Sequence, residues 1–225
     1  MNNVSELWEA IEDGDDRAVR RLLNEHPELV EATHKYGFTP LMRAASCCGR
    51  TVPVIKAILE SGADVNRQTK EGYTALHCAI DVDGEANDNA EEVIGVLAAA
   101  GADLSVRQHY GWTPLLRAVV EGKGAEVKAL LAAGADPNET MPPHTLPAFN
   151  AGRTTLMGAV PTWEAEVKIE ALLRAGADPQ KRDAQGMTFF DYVESLQQRY
   201  EGSEFAAKVK RCADIARNWA ASDHT

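Results

Sequence analysis

Apolar residues at both ends of the chain recur at the three- and four-residue spacing of short amphipathic helices. Residues 4–12 and 16–24 are predicted to form two such helices, separated by the polar turn Asp13-Gly14-Asp15. Their apolar positions are Leu7, Ala10, Ile11, Val19, Leu22 and Leu23. A last helix is predicted at 204–220, with its apolar stripe at Phe205, Val209, Cys212, Ile215, Ala216 and Trp219.

Between these ends, two short phrases alternate. The Gly-Ala-Asp phrase follows a pair of apolar residues and reads SGADVN (61–66), AGADLS (100–105), AGADPN (133–138) and AGADPQ (175–180). The Gly-x-Thr phrase reads GFTPLMRAA (37–45), GYTALHCAI (72–80), GWTPLLRAV (111–119), GRTTLMGAV (152–160) and GMTFFDYVE (186–194). Counted between their glycines, the steps from the first phrase to the second are 10, 10, 18 and 10 residues. The return steps are 25, 29, 23 and 24 residues.

Each phrase predicts a local structure. The threonine begins a helix, because its hydroxyl can cap free backbone N–H groups and a following proline suits the first helical turn. The leucine and alanine behind it are expected to pack against the neighbouring repeat. The glycine of Gly-Ala-Asp ends the second helix, because glycine adopts the left-handed conformation at little cost. The repeating unit is therefore two helices followed by a turn.

A period near 33 residues with a T-P-L-H-x-A phrase resembles the ankyrin repeat. Thr74 to Ala79 match this phrase except that Ala75 replaces the proline, and Thr39-Pro40-Leu41 and Thr113-Pro114-Leu115 match its first three places. The resemblance implies an all-α ankyrin-repeat solenoid of helix-turn-helix units with hairpin-like finger loops, in about six units. It also implies a hydrogen-bonding structural role for His77. We expect a single domain over 1–225, with an N-terminal cap unit at 1–36, repeats at 37–71, 72–110, 111–151 and 152–185, and a C-terminal cap at 186–225.

Two insertions depart from the repeat, one within 81–91 and one within 139–151. Insertions in repeat proteins map to loops, which are often used for binding. The second insertion holds three prolines and two large apolar residues, Leu146 and Phe149. We predict that both are surface loops, with an enlarged partner-binding finger as the alternative for 139–151.

Two groups of residues bear a superficial likeness to metal sites. Residues 81–92 supply carboxylates like a calcium loop, but Gly84 stands at place 4 rather than 6, which favours a solvated linker. Cys47, Cys48 and Cys78 lie in adjacent repeats, yet no CxxC or HxxxH spacing is present. No metal and no cofactor is therefore expected.

The charge balance limits the classes of partner. The chain of 225 residues has 34 acidic and 23 basic residues and a formal net charge of −11. Binding to nucleic acid or to an anionic membrane requires clustered Lys and Arg, so neither is expected. No apolar stretch predicts a membrane span, the first ten residues lack a signal-peptide pattern, and four cysteines are too few for a disulfide scaffold. We expect a cytoplasmic protein that is monomeric alone.

Candidate binding residues lie at the finger tips and on the inner helices, which face the partner in ankyrin proteins. Aromatic residues and arginine dominate interface energetics. Aromatic residues and arginines stand next to the glycine of the Gly-x-Thr phrase, or four residues after its threonine. The candidates are Tyr36, Phe38, Arg43, Tyr73, Tyr110, Trp112, Arg117 and Arg153. The alternative is that several of these rings pack on neighbouring fingers and only stiffen the row.

The function predicted is that of a non-catalytic module that binds a protein partner, as an adaptor, scaffold or inhibitor. The common nucleotide-binding, metalloprotease and hydrolase motifs are absent from the sequence, so no enzyme is expected. A bacterial immunity-type inhibitor of a toxin is a narrower alternative, suggested by a resemblance to small bacterial ankyrin proteins. A small-molecule receptor or enzyme with a pocket beneath the 139–151 insertion, and a structural role in self-association, are the others.

Overall fold

A computed structural model describes residues 3–34, 36–47, 51–80, 89–143 and 151–222. The chain forms two compact units, Met1–His109 and Tyr110–Thr225, which we call unit 1 and unit 2. Within the described residues each unit contains six α-helices. The fold class predicted from the sequence, an all-α ankyrin-repeat fold, is confirmed.

Unit 1 consists of two rows of helices. Helices α1, α3 and α5 pack in sequence in one row, and α2, α4 and α6 pack in the other. Each helix of the first row also packs against the next helix along the chain, as a helix-turn-helix pair requires. The bounds are α1 Asn3–Glu12, α2 Asp16–Glu25, a 3₁₀ helix Pro27–Glu31, α3 Pro40–Ser46, α4 Val52–Glu60, α5 Ala75–Cys78 and α6 Ala90–Ala99.

Unit 2 repeats this arrangement. Helices α7, α9 and α11 form one row, and α8, α10 and α12 form the other. The last described helix, α12, packs on both α10 and α11. The bounds are α7 Pro114–Val120, α8 Gly124–Ala132, α9 Thr155–Ala159, α10 Ala165–Arg174, α11 Phe189–Arg199 and α12 Glu204–Ala221.

The threonine of the Gly-x-Thr phrase caps the first helix of its repeat, as predicted. Thr39, Thr113, Thr154 and Thr188 each accept a hydrogen bond from the backbone N–H three residues later, at 3.2–3.4 Å. Each hydroxyl thereby satisfies one of the N–H groups that a helix start leaves unpaired. The leucine and first alanine that follow are buried in the copies that have them, which places the phrase in the core.

The Gly-Ala-Asp phrase ends the second helix, also as predicted. Its four glycines have φ between 88° and 101°, in the left-handed region that a side chain disfavours. The aspartate carboxylate then accepts the backbone N–H two residues later, at 2.8–2.9 Å in every copy. Helix end and turn are therefore both fixed by the phrase itself.

An asparagine after two of these aspartates links one repeat to the next. Asn66 donates from Nδ2 to Gly101 O at 3.1 Å and accepts at Oδ1 from Asp103 N at 2.7 Å. Asn138 makes the same pair with Gly176 O at 2.9 Å and Asp178 N at 2.8 Å. We call such a pair of hydrogen bonds an asparagine rung. The two rungs are equivalent, and each unit contains one.

Replacing Asn138 by alanine is expected to lower the free energy of unfolding of unit 2 by about 1–2 kcal/mol, because two partly exposed hydrogen bonds are lost. A urea titration measures the change. Asn138→Asp is the matched control, since it keeps the acceptor but replaces the donor, and we expect it to lose less. Equal stability of the alanine variant and the original chain would show that the rung contributes nothing.

The two cap predictions differ in detail. In the first, Leu7, Ala10, Ile11, Val19, Leu22 and Leu23 are all buried, and α1 and α2 match the predicted helices to within one residue at each end. In α12 the apolar stripe is narrower than predicted. Val209, Cys212 and Ala216 are buried, whereas Phe205, Ile215 and Trp219 are half-buried. Burial raises the pKa of the Cys212 thiol to about 12.

The insertion at 139–151 is described at its two ends. Met141 N donates to Arg153 O at 2.8 Å, and Gly152 N donates to Met141 O at 3.1 Å, so the ends pair in an antiparallel manner. The Met141 side chain is buried, with Cε 2.6 Å from where a Cβ on Gly158 would stand. Met141 therefore fills space at the base of this finger. Residues 144–150 lie outside the described residues, as do residues 81–88 of the first insertion.

Candidate functional site

The candidate residues of unit 1 lie on two neighbouring fingers and one helix. Gly37, at the tip of the first finger, stands beside Thr69 of the second, with 3.9 Å between its Cβ position and Thr69 Cβ. In both fingers the chain reverses through a left-handed glycine, Gly37 at φ 77° and Gly72 at φ 79°. The residues on either side of this glycine then point to different faces. The residue before it is exposed, and the residue after it is half-buried.

Tyr36 is the most exposed of the predicted binding residues, with 63% of its surface accessible. Its ring lies 5.8 Å from the His34 ring, which in turn lies 5.7 Å from the Trp8 ring of α1. Trp8 Nε1 is buried and has no hydrogen-bond partner within the described residues. Three rings from the cap helix to the finger tip thus form one aromatic series, with Tyr36 at its solvent end.

Tyr73 and His77 have a structural part in the second finger. The Tyr73 ring packs edge-on against His77 with 5.8 Å between centroids, and it is half-buried. His77 is buried, and its Nδ1 lies 2.9 Å from Thr74 Oγ1 and accepts Thr74 N at 3.3 Å. The hydrogen-bonding role that the resemblance implied for this histidine agrees with the geometry.

Arg43 lies on α3 and is partly exposed, as a contact residue must be. Its Nη2 donates to Glu12 Oε1 at 2.9 Å and its Nε to the same oxygen at 3.2 Å. Because Glu12 is at the end of α1, the pair joins the first two repeats on the row that carries the fingers. An exposed pair of this kind contributes about 0.2–1 kcal/mol to stability, so a partner's carboxylate can compete for the arginine.

The candidate residues of unit 2 are less accessible than the sequence suggested. Tyr110 is exposed at 46%, but Trp112 is exposed at only 3%. The two rings are 6.4 Å apart on either side of Gly111, whose φ is 77°. The same reversal that exposes Tyr110 turns the larger indole inward. Trp112 is therefore a core residue in this structure and offers no surface to a partner.

Two arginines of unit 2 are also occupied within the unit. Arg117 has 13% of its side chain exposed and pairs with Glu121 at 3.2 Å. Arg153 pairs with the buried Asp183 at 2.6 Å, and its guanidinium lies 4.3 Å from the centre of the Tyr192 ring. Burial raises the pKa of that tyrosine, and the cation beside it acts in the opposite direction. Sequence reasoning placed Arg153 at a finger tip but did not consider its partner in the next finger.

A buried lysine is the most unusual charged group of unit 2. Lys168 of α10 donates from Nζ to Val119 O at 3.0 Å and to Thr162 Oγ1 at 3.3 Å. Burial lowers its pKa to about 8, while Glu164 and Glu126 act to raise it and Lys208 acts to lower it. Its ammonium satisfies a carbonyl at the end of α7 and fixes the loop before α10. Sequence reasoning missed it because one lysine in an amphipathic helix ordinarily faces water.

A tryptophan that the sequence analysis did not consider is the most exposed large apolar residue that the structure describes. Trp163 lies in the loop between α9 and α10 with 81% of its surface accessible. Trp163 lies outside both repeated phrases, from which the candidate binding residues were chosen. The sequence signal that could have identified it is a tryptophan between a proline-threonine pair and a glutamate, in a loop where a polar residue is usual.

The charge is unevenly divided along the chain. Residues 1–109 contain 19 acidic and 10 basic residues, a net charge of −9, and residues 110–225 contain 15 and 13, a net charge of −2. Unit 1 therefore carries most of the negative charge. A surface of this sign attracts basic partners and repels acidic ones.

Potential metal ligands and surface grooves are the features that bear on a chemical function. In the described part of the chain, no cluster of three or more His, Cys, Asp or Glu is arranged to hold a metal ion. Cys47 and Cys78 are half-buried, and Cys48 and most of the 81–92 loop lie outside the described residues. An open groove of about 670 Å³, with more apolar than polar surface, lies between α11 and α12, and its lining includes Gln197, Gln198, Gly202, Ala206, Ala207 and Lys210. No helix of the described ranges is long and apolar enough to cross a bilayer.

Two rows of capped helices with stacked fingers define a helical repeat protein. A family model described as "Ankyrin repeats (3 copies)" matches residues 7–108 and 52–141. The chain belongs to the ankyrin-repeat family. Ankyrin repeats as a class mediate protein–protein interactions.

Individual relatives extend this comparison. The mouse (Mus musculus) ankyrin repeat and SOCS box protein 16 is 35% identical over 129 residues, which are 54% of this chain and 27% of the relative. The chain spans less than a third of the length of the curated relatives it matches.

Solved structures resemble the whole chain in fold. The ankyrin repeat protein EF0377 matches with a TM-score of 0.71 and 24% identity, covering 95% of this chain and 97% of that one. A chain in the structure of the predatory endopeptidase Bd0816 from Bdellovibrio bacteriovorus in complex with immunity protein Bd3460 matches with a TM-score of 0.64 and 24% identity. It covers 92% of this chain and 97% of that one.

Proposed function

We propose that this protein is a non-catalytic module that binds a basic surface of another protein through the finger face of unit 1. The observation that carries the proposal is Tyr36, an exposed ring supported from below by His34 and Trp8, on a unit whose net charge is −9. An aromatic side chain held by packing loses little entropy when a partner covers it. Phe38, Arg43 and Tyr73 lie on the same fingers and the helix behind them.

The two properties of this face have different roles in the proposal. The aromatic residues supply the buried contact area, and the net negative charge of unit 1 selects a partner of opposite charge and speeds its association. Tyr110 is an exposed ring of unit 2 and is a separate candidate contact residue. Trp112, Arg117 and Arg153 are not part of the proposed face, because their side chains are buried or paired within unit 2.

An inhibitor of a peptidase or toxin is the narrower form of this function. It is supported by the occurrence of a fold of this length in the complex of a predatory endopeptidase with its immunity protein. We propose that the protein acts in the cytoplasm and is monomeric until it meets its partner. The pocket alternative is weakened by Met141, which fills the base of the 139–151 finger.

The double variant Tyr36→Ala/Tyr73→Ala tests the proposal. Proteins captured from the native host by the original chain are identified by mass spectrometry, and the affinity of the purified partner is then measured by calorimetry. We expect a basic partner whose affinity falls at least about thirtyfold in the double variant. Raising the salt concentration is expected to weaken binding of the original chain, since exposed charges are screened.

Tyr200→Ala is the matched control, because Tyr200 is an exposed tyrosine of unit 2 far along the chain from the proposed face. It is expected to leave the affinity unchanged. A partner that binds the double variant as well as the original chain, or an acidic partner, contradicts the proposal. Circular dichroism of each variant confirms that it is folded.

A further inference from the structure

The loop between α9 and α10 carries features that the proposed face of unit 1 does not use. Trp163 is exposed and precedes Glu164 directly, and Val167 of α10 is a second exposed apolar residue. Glu164 and Val167 are neighbours in space, because a Cβ on Gly124 would stand 3.2 Å from Glu164 Oε2 as well as close to Val167. Val167 packs closely on the start of α8, where a Cβ on Gly124 would stand 2.6 Å from Val167 Cγ1. The patch formed by Trp163, Glu164 and Val167 is here called the 163–167 patch.

The backbone of the patch is held in an unfavourable conformation. Among the non-glycine residues that the structure describes, Glu164 alone has a positive φ, 53°. This conformation costs about 1 kcal/mol or more for a residue with a side chain, and such strain often marks functional sites. The Glu164 carboxylate offsets it in part by accepting Gly124 N at Oε2, at 2.7 Å.

Two lysines fix the loop from below. Lys168 Nζ donates to Thr162 Oγ1 at 3.3 Å, and Lys208 Nζ of α12 donates to the Thr162 carbonyl. The Thr162 hydroxyl also donates to Ala159 O at 2.7 Å. The residue before Trp163 is therefore anchored to three elements of unit 2. The indole is presented on a rigid support, and this lowers the entropy lost when it is covered.

The chemistry of the patch selects a cationic ligand. The face of an indole attracts guanidinium and ammonium groups, and a neighbouring carboxylate strengthens that preference. Glu164 Oε1 makes no hydrogen bond within the described residues, so this oxygen can accept one from a ligand, and Lys168 is the charged neighbour with which the ligand shares the carboxylate. Val167 supplies an apolar contact for the residue next to the cation.

We propose that the 163–167 patch is a second interaction surface, which binds a partner segment carrying an arginine or lysine next to an aliphatic side chain. The cation lies over Trp163 and against Glu164, and the aliphatic residue contacts Val167. The proposal stands on unit 2 alone and does not depend on the finger face of unit 1.

Heteronuclear NMR of the full chain with defined peptides tests the proposal. The probe is the acetylated hexapeptide Arg-Leu-Arg-Leu-Arg-Leu, with Glu-Leu-Glu-Leu-Glu-Leu as the charge-reversed control. The reporters are the Val167 backbone amide in all samples and the Trp163 indole N–H, assigned from a Trp163→Phe variant. We expect the arginine peptide to shift both signals in a saturable manner and the glutamate peptide to shift neither.

Two variants separate the contributions of the ring and the carboxylate. Trp163→Ala is expected to weaken peptide binding, followed at Val167, about tenfold. E164Q keeps an oxygen that can accept Gly124 N but removes the charge, and we expect it to weaken binding about fivefold. Tyr200→Ala is the matched control that leaves the Val167 response unchanged.

Three results would overturn the proposal. The first is an equal response to both peptides, and the second is an unchanged response in Trp163→Ala. The third is a shift of the Val167 signal with protein concentration in the absence of peptide, since this would assign the patch to a second copy of the chain. Trp163 is exposed, so its variants are expected to fold, and superimposable spectra away from the patch verify this.

Discussion

Replacing Asp183 by alanine is expected to lower the free energy of unfolding of unit 2 by about 3–5 kcal/mol, because it leaves a largely buried arginine without its counter-ion. Asp183 Oδ2 accepts Arg153 Nη1 at 2.6 Å, and the aspartate side chain is fully buried. Arg153 Nε already lacks a partner within the described residues. Removing the carboxylate therefore leaves the guanidinium with few hydrogen-bond acceptors.

The same aspartate shapes the last finger. Asp183 Oδ1 accepts Gln185 N at 2.8 Å and Met187 N at 2.9 Å, which closes the turn through Gly186. In unit 1, Thr69 makes the same two bonds through its hydroxyl, to Glu71 N and Tyr73 N at 3.2 Å. An acceptor at this position thus has a general role in the finger, and the ion pair is the addition specific to Asp183.

Asp183→Asn separates these two roles. Its amide oxygen can keep both turn hydrogen bonds while the charge is lost, so we expect it to show most of the loss of the alanine variant, and the remaining difference of about 1–2 kcal/mol measures the turn hydrogen bonds. Asp178→Ala, at an exposed aspartate of the same repeat, is a further control. Urea unfolding gives all three values. An alanine variant no less stable than Asp178→Ala would contradict the role of the ion pair.

The second large effect is a dependence of stability on pH that comes from Lys168. The difference in unfolding free energy between the original chain and Lys168→Met is expected to rise by up to about 3 kcal/mol as the pH increases from 8 to 10.5. In this interval the unfolded state binds a proton that the folded state has released. Raising the pH therefore favours folding. Below pH 8 both states carry the proton, and the difference stays constant.

The comparison with the methionine variant removes the other titrations. Burial raises the pKa of Cys212 to about 12. As the pH rises above the ordinary pKa of a thiol, the unfolded state therefore loses this proton before the folded state does, and stability falls. Tyr192, whose pKa is also raised, acts in the same direction at still higher pH. Both groups are present in both proteins, so they cancel in the difference. A difference that does not change between pH 8 and 10.5 would contradict a lowered pKa for Lys168.

The repeated phrases predicted the local structure well because they act locally. The Thr39 cap, the glycine turn at Gly62 and the cap helix α12 each depend on residues within a few positions of one another. A period in the sequence is then enough to place them. The family resemblance added the pairing of helices that these signals do not contain.

The candidate site was predicted less well, since exposure depends on contacts distant in sequence. Trp112 and Tyr36 both flank a finger glycine, yet one is buried and the other is exposed. Arg153 has its partner 30 residues later, in the turn of the next finger. Trp163 lies outside the repeated phrases, in the loop between α9 and α10. The exposed place before the finger glycine and the inward place after it do recur with the repeat, whereas the partner of Arg153 and the exposure of Trp163 have no periodic signature in the sequence.

The asparagine rungs have a consequence for how such a chain changes its length. Asn66 and Asn138 bond the backbone N–H and C=O of the following repeat and touch none of its side chains in doing so. The receiving repeat needs only the Gly-x-Asp turn. A duplicated unit inserted after such an asparagine brings that turn with it, so the new junction is compatible from the start. Duplication and loss of whole units are thereby tolerated at these junctions, while the side chains on the fingers remain free to diverge.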